Sequence, residues 1–173
     1  AEEYIVPPYC TVTVVENPIA SSINQRIDGA ATFLLSKIDK FDEKKAVDFL
    51  TYLKSGCDMS EYAPAFLNAV NANLAKNDGK LISSDTKGED LALYGAVISA
   101  LRLLGYDPTL YNGVNLVERF ESLDPSQISN PYYYRVAIEA ADEKFAIALC
   151  DTFVDNYYTM GQGMNYWGYY SCD

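Results

Sequence analysis

One stretch of the sequence decides the fold: Leu91-Ala92-Leu93-Tyr94-Gly95-Ala96-Val97-Ile98-Ser99-Ala100-Leu101-Arg102-Leu103-Leu104. Wound as a helix, it is apolar around almost its whole circumference, and such a helix must be covered by other elements on most sides. Gly88-Glu89-Asp90 precedes the stretch, and Gly105-Tyr106-Asp107-Pro108 follows it. Glycine favours the left-handed C-terminal cap and proline cannot continue a helix, so we predict a buried helix over about 89–104.

Amphipathic helices are predicted on both sides of this central one, because apolar residues recur at three- and four-residue spacing. Asp42 and Asn130 are the expected N-caps, Ser60 is expected to start the third helix, and Pro131 suits a first helical position. The further predicted helices cover about 21–38, 42–54, 60–76, 115–123, 131–141 and 143–158. Consecutive helices with short connections pack as antiparallel hairpins, which form bundles, solenoids or toroids.

The first 20 residues have a different pattern. The β-branched run Thr11-Val12-Thr13-Val14-Val15 stands between Pro7-Pro8 and Pro18, which predicts a short extended segment or linker. We therefore expect two parts: an extended lead-in over 1–20 and an all-α domain of αα-hairpins over 21–173.

Composition excludes several classes of function. Thirteen basic residues against 24 acidic ones give a net charge of −11, which offers no footprint for nucleic acid. The absence of histidine excludes Ser-His-Asp and Cys-His catalysis and any His-ligated zinc site within this chain. The longest apolar run is about half the roughly 20 residues that span a bilayer, so membrane insertion is not expected. The acidic composition, rich in Tyr, Asn and Ser, favours a secreted or cell-surface protein from which any signal peptide has been removed.

Four cysteines are spread along the chain without a C-x-x-C pair: Cys10, Cys57, Cys150 and Cys172. Free thiols and one or two disulfides are both compatible with this spacing, and four cysteines allow three pairings. Asn77-Asp78-Gly79 and Ser83-Ser84-Asp85 lack the spacing of a calcium-binding EF-hand loop, so we predict no metal site.

Clusters of tyrosine are the best local signal for a binding site, since a large ring with a polar edge packs against sugars or planar corrinoid-like ligands. The alternative is that these rings pack between helices. The candidate ligand-binding residues are Tyr133, Tyr134, Tyr158, Tyr166, Trp167, Tyr169, Tyr170 and Asp173. Asp151 and Asp155 share a helix face as a glycosidase pair would, but among 24 acidic residues a solvated surface is the favoured interpretation.

The segments Leu93–Pro108, Asn115-Leu116-Val117 and Asn130-Pro131-Tyr132-Tyr133 resemble the prenyltransferase and squalene-oxidase repeat family. Gly29-Ala30-Ala31-Thr32-Phe33-Leu34-Leu35-Ser36 resembles its opening helix. This family belongs to the terpenoid cyclase and protein prenyltransferase α/α toroids, and the resemblance is to the version found in secreted proteins of Gram-positive gut bacteria. Over 21–173 the resemblance implies an α/α toroid, and because full rings use about twice as many helices, it implies an open or partial ring.

The resemblance also supplies motifs to test. The D-x-D-D motif of the cyclases is absent, the zinc site of the prenyltransferases lacks its histidine, and Gly56-Cys57-Asp58 does not match the G-C-G-E-Q thioester stretch. The resemblance therefore implies a non-catalytic domain without a cofactor. It would bind a corrinoid-like small ligand or a glycan, or act as a scaffold in a larger surface protein. Similar toroids pair with a β-rich domain, which makes such a domain of the full-length protein a candidate partner. The alternative is a toroid-type glycan hydrolase or lyase that absent parts of the chain complete.

Overall fold

The computed structural model describes residues 41–86, 88–128 and 130–158, and within them every regular element is helical. The predicted all-α class is therefore confirmed, whereas the predicted helix over 21–38 and the extended segment over 1–20 lie outside the described residues. Of the helices in this part of the chain, none is both long and apolar enough for a membrane crossing. The α-helices of the described ranges are α1 (Glu43–Lys54), α2 (Ala63–Lys76), α3 (Leu91–Leu103), α4 (Leu116–Glu121), α5 (Pro131–Ala140) and α6 (Glu143–Tyr158).

Helix α3 is the buried centre of the fold, as its sequence predicts. Each residue from Leu91 to Leu101 is buried, including the ring of Tyr94. Helices α1 and α5 pack against α3, and the short α4 makes a further contact with it. Aromatic pairs extend the core to the remaining helices: Phe49 of α1 stacks on Phe66 of α2, with ring centroids 4.0 Å apart.

Helices α1, α3 and α5 run in the same direction and pack together. At one end, the last turns meet: Arg102 Nη1 donates a 2.8 Å hydrogen bond to the Ala140 carbonyl, and Lys54 forms an ion pair with Glu139. At the other end, Glu43, Leu91 and Tyr133, which belong to the first turns of these helices, line a common cleft. Helix α3 packs against both others, and α1 and α5 also line a cleft between them, to which Leu50 and Val136 contribute.

Helices α2 and α4 connect these parallel helices, and α6 follows the last of them. Helices α5 and α6 form an antiparallel hairpin, because Asn156 near the end of α6 donates to the hydroxyl of Tyr134 near the start of α5. The same hairpin is held by the rings of Tyr134 and Phe153, whose centroids are 5.4 Å apart. For this pair the predicted αα-hairpin is confirmed.

Most predicted helix ends are confirmed by capping hydrogen bonds. The side chains of Asp42, Asp90 and Asn130 accept from backbone N–H groups two or three residues ahead, at 2.7–3.0 Å. The start of α2 differs from the prediction at Ser60. Residues 59–62 form a turn in which Ser60 N donates to Asp58 Oδ1, so the helix begins at Ala63 instead.

Candidate functional site

The structure separates the candidate tyrosines that it describes. Tyr133 is half-buried in the cleft where α1, α3 and α5 begin, which we name the helix-start cleft. Tyr134 is fully buried; its hydroxyl donates to the Pro125 carbonyl at 3.3 Å, so this side chain is part of the core and closed to a ligand. Tyr158 is the last residue of α6. The remaining candidates, Tyr166, Trp167, Tyr169, Tyr170 and Asp173, lie outside the described residues.

The helix-start cleft has a volume of about 360 Å³ and three carboxyl groups in its walls. Each of them already has partners within the fold. Glu43 accepts from the Ser83 hydroxyl, Glu89 accepts from the Tyr94 hydroxyl at 2.8 Å, and Asp90 caps α3. These carboxylates therefore hold the fold together, which leaves them less available to a ligand.

The electrostatics of the helix-start cleft keep its tyrosine neutral. Burial, and then the negative charges of Glu43, Asp48, Asp42 and Asp90, raise the pKa of Tyr133 from 10.0 to about 12. The phenol therefore stays protonated well into the alkaline range and can donate a hydrogen bond there. Burial likewise raises the pKa of Asp90 above its ordinary value. Within the described ranges, no group of three acidic or cysteine side chains is placed to hold a metal ion.

Two of the four cysteines fall in the described ranges. Cys57 follows α1, and its Sγ lies 3.1 Å from the Ser55 hydroxyl. Cys150 is half-buried in α6. Cys10 and Cys172 lie outside the described residues, so the disulfide pairing stays a prediction.

A second cleft, which sequence reasoning missed, lies between α2 and the loop that follows α3. We name it the amide–tyrosine cleft; its volume is about 620 Å³. The ring of Tyr106 is 46% exposed and meets the ring of Tyr111 edge-on, with centroids 5.8 Å apart. Beside the rings, Asn71 Oδ1 accepts from the Tyr111 hydroxyl at 2.9 Å and from Asn112 Nδ2 at 2.7 Å. The cleft is lined by Pro64, Leu67, Asn68, Asn71, Tyr106, Asp107, Leu110, Tyr111 and Asn112.

Short-range hydrogen bonds give the wall of this cleft a fixed shape. Asn112 and Gly113 have φ values of +50° and +78°, and the residues on either side of them, Tyr111 and Val114, exchange two 3.0 Å backbone hydrogen bonds. This is the Asn-Gly hairpin turn, in which both central residues need a positive φ. Asp107 caps a single 3₁₀ turn by accepting from the backbone and the hydroxyl of Thr109, and these bonds lower the pKa of Asp107. The turn leaves Leu110 73% exposed at the rim.

Two amide groups of this cleft each keep one atom available to a ligand. Among the described residues, Asn71 Nδ2 and Asn112 Oδ1 take part in no hydrogen bond, although the opposite atom of each amide does. Asp107 is the one ionised side chain among the described lining residues. An exposed ring next to unoccupied amide donors and acceptors is suited to an uncharged ligand with many hydroxyl groups.

The sequence did hold one signal for this cleft. The predicted helix stop at Gly105-Tyr106-Asp107-Pro108 is confirmed, since Gly105 has a φ of +83°, and Tyr106 and Asp107 of this stretch also line the cleft. Asn112-Gly113 is a recognisable hairpin turn, and a turn of this type fixes the residues on either side of it. The partner amide on α2 lies 41 positions away from Asn112, and nothing local connects them.

Comparison of the chain with protein-family models, with curated proteins and with solved structures found no match. The all-α fold therefore stands on the contacts described above, and no family is identified.

Proposed function

We propose that this chain is a non-catalytic carbohydrate-binding domain and that the amide–tyrosine cleft is its glycan site. The observation that carries the proposal is the exposed ring of Tyr106 held beside the amide pair of Asn71 and Asn112. The carbon-bound hydrogens on one face of a sugar pack against an aromatic ring, and the surrounding hydroxyl groups exchange hydrogen bonds with amides.

The size and rigidity of the cleft support this function. A volume of about 620 Å³ falls within the roughly 300–1,000 Å³ typical of small-ligand sites. The hairpin turn and the capped 3₁₀ turn hold the wall in place before a ligand arrives, so binding need not pay for ordering a loop.

Charge selects among glycans. A protein with a net charge of −11 repels acidic sugars, and Asp107 adds a negative charge at the cleft itself. We therefore expect neutral oligosaccharides as ligands, and uronic or sialic acid derivatives to bind weakly.

The architecture of the proposed binding domain is part of an α/α toroid. Support comes from the three parallel helices α1, α3 and α5, which lie side by side while the intervening helices return the chain. Parallel neighbours of this kind, with α3 buried from Leu91 to Leu101, support an inner ring of helices. A secreted or cell-surface location fits the acidic composition and a glycan ligand.

Isothermal titration calorimetry against a panel of neutral oligosaccharides tests the function. Tyr106→Ala removes the proposed stacking surface and is expected to weaken binding at least about tenfold, the equivalent of about 1.4 kcal/mol. Tyr132→Ala is the matched control, because Tyr132 is 45% exposed against 46% for Tyr106 but lies outside the cleft. Binding should be unchanged in the control.

Two results would overturn the proposal: failure of every neutral glycan to bind, or an equal loss of affinity in both variants. Titration with cobalamin in the same panel tests the corrinoid-like ligand. Because the β-rich partner domain was proposed from the same resemblance, this titration also bears on that partner. Turnover of any glycan by the chain would replace the binding function with the hydrolase or lyase alternative.

A further inference from the structure

Apart from Lys76 at its last position, the outward face of α2 lacks the charges that a solvent-exposed helix normally carries. No charged residue occurs among the 13 residues from Ala63 to Ala75, in a protein of which 21% is charged. Its exposed positions are instead occupied by small or uncharged side chains, namely Pro64, Ala65, Asn68, Ala72 and Ala75. Solvated helix faces are usually rich in charge, so this face has the composition of a covered surface.

A long groove runs along one side of this face. Its volume is about 650 Å³. Ala65, Ala69 and Ala72 of α2 line one wall, and Ile82 and Ser83 of the following segment line the other. Among the described lining residues, Lys76 is the one charged side chain. We name this feature the α2 groove.

The described chain begins at the α2 groove itself. Phe41 lines it, the ring of Phe41 meets that of Phe66 edge-on at 5.9 Å, and the Phe41 carbonyl accepts a 3.1 Å hydrogen bond from Ser84 N. Consecutive Cα atoms are 3.8 Å apart, so residue 38 can lie no further than about 11 Å from the Cα of Phe41. Whatever structure residues 21–38 adopt, their end is tethered next to the groove.

We propose that the α2 groove is the docking site for the helix predicted over 21–38 of this same chain. That segment has an apolar stripe that needs cover: Ile23, Ile27, Ala30, Ala31, Leu34, Leu35 and Ile38. As a helix it would be about 27 Å long, against about 21 Å for the 14 residues of α2, which suffices to cover the groove from end to end. Alanines at the contact allow two helix axes to approach closely, towards the 8 Å end of the usual 8–10 Å range.

The tether favours this occupant over a second copy of the chain. A segment joined to the groove by two residues has an effective concentration of the order of millimolar, whereas a second molecule is limited by its concentration in solution. Occupation by the segment also joins its apolar stripe to the core through Phe41, which is itself buried.

Hydrogen–deuterium exchange of the full chain, read by mass spectrometry, tests the docking. Ala72→Arg places a long charged side chain in the groove, and Ala65→Arg does the same nearer the start of α2. The matched control is Ala75→Arg, an exposed position on the same helix that does not line the groove. Arginine is nearly as good a helix former as alanine, so α2 itself should persist in all three variants.

In the wild type, amides of 21–38 should be protected from exchange. Ala72→Arg and Ala65→Arg should speed the exchange of these amides at least about tenfold, while the amides of α3 keep their protection. Ala75→Arg should change neither the exchange of 21–38 nor that of α3. Unprotected amides in the wild type, no effect of the groove variants, or equal effects of all three variants would overturn the proposal. Protection that rises with protein concentration would also overturn it, because a second copy would then be the occupant.

Discussion

Tyr94 connects the central helix to the segment that leads into it. Its ring is fully buried in α3, and its hydroxyl accepts from the backbone N–H of Leu81 at 3.1 Å while donating to Glu89 Oε1 at 2.8 Å. Leu81 is itself fully buried, so this hydroxyl is what satisfies its N–H. Burial raises the pKa of Tyr94 well above its ordinary value, so the hydroxyl stays protonated and keeps both bonds.

We expect Tyr94→Phe to lower the free energy of unfolding by about 1–3 kcal/mol, because it leaves a buried backbone N–H without an acceptor. Urea denaturation at pH 7 measures this difference. Tyr132→Phe serves as the control and should change stability by less than about 0.5 kcal/mol, since Tyr132 is exposed. Equal stability of Tyr94→Phe and the wild type would mean that the Leu81 N–H finds another partner.

The neighbours Tyr133 and Tyr134 show where residue-level prediction from sequence ends. Both are tyrosines at the start of α5, yet one lines a cleft and the other is in the core. Consecutive side chains on a helix point about 100° apart, so the packing of α6 against α5 decides which ring is covered. The Asn130-Pro131 signal predicted where the helix begins, but it holds no information about α6.

At the scale of elements, the approach of α3 to α5 depends on Gly95. A methyl group added there would lie 3.0 Å from the Ala137 Cα and 3.1 Å from the Val136 carbonyl oxygen, both backbone atoms of α5. Backbone atoms cannot rotate out of the way as a side chain can. The two helices therefore pack at a distance that only glycine permits at this position.

Gly95→Ala should destabilise the protein by about 1–3 kcal/mol through overpacking, even after the roughly 1 kcal/mol that alanine gains over glycine in helix propensity. Thermal unfolding followed by circular dichroism measures the effect. Gly88→Ala is the control, because no atom lies within 4 Å of the added methyl group and the melting temperature should stay nearly constant. A more stable Gly95→Ala would show that α3 and α5 can separate at little cost.

Helix positions were largely predictable because their signals are local. Asp42, Asp90 and Asn130 cap their helices as residues of their type do, and Gly105 takes the left-handed conformation expected of a C-terminal stop. The prediction that Ser60 starts a helix was wrong, because hydrogen bonds to the Met59 carbonyl and to the Asp58 side chain form a turn at this position. The relative direction of α1, α3 and α5 was not predictable in this way. It depends on contacts between distant residues, such as the hydrogen bond from Arg102 to Ala140, which are 38 residues apart.

At the scale of the whole molecule, a net charge of −11 makes the free energy of unfolding depend on pH in the alkaline range. Tyr133 lies among Glu43, Asp48, Asp42 and Asp90, and burial together with these charges gives it a pKa of about 12 in the folded state against 10.0 ordinarily. A group whose pKa is raised by folding contributes stability that is fully present below pH 10. That contribution is lost as pH rises towards 12, because the unfolded chain releases the proton first.

Tyr133→Phe cannot release this proton, so its free energy of unfolding should fall less steeply than that of the wild type between pH 10 and 12. Tyr94 and Tyr111 also have raised pKa values, so part of the decline should remain in the variant. Urea denaturation at several pH values measures the slopes. Identical slopes would contradict the placement of Tyr133 among these carboxylates.

The class of the whole fold followed from one apolar helix, but its candidate site did not. The tyrosine clusters pointed to the chain's later part, whereas the exposed Tyr106 meets its amide partner only because α2 and the loop after α3 fold against each other. Such a site joins segments some 40 residues apart, and no pattern within either segment reveals the other.

The most direct test of the glycan site is a ¹H–¹⁵N NMR titration of the full chain with the neutral oligosaccharide that binds best in calorimetry. A glycan bound in the amide–tyrosine cleft should give saturable shift changes confined to the backbone amides around Asn71 and over 106–113 and to the side-chain amides of Asn71 and Asn112. Tyr106→Ala should abolish them, and the resonances of the amides around Asp90 and Tyr133, in the helix-start cleft, should not shift. Shift changes centred on Tyr133 instead, or none at saturating sugar, would contradict a glycan site in the amide–tyrosine cleft.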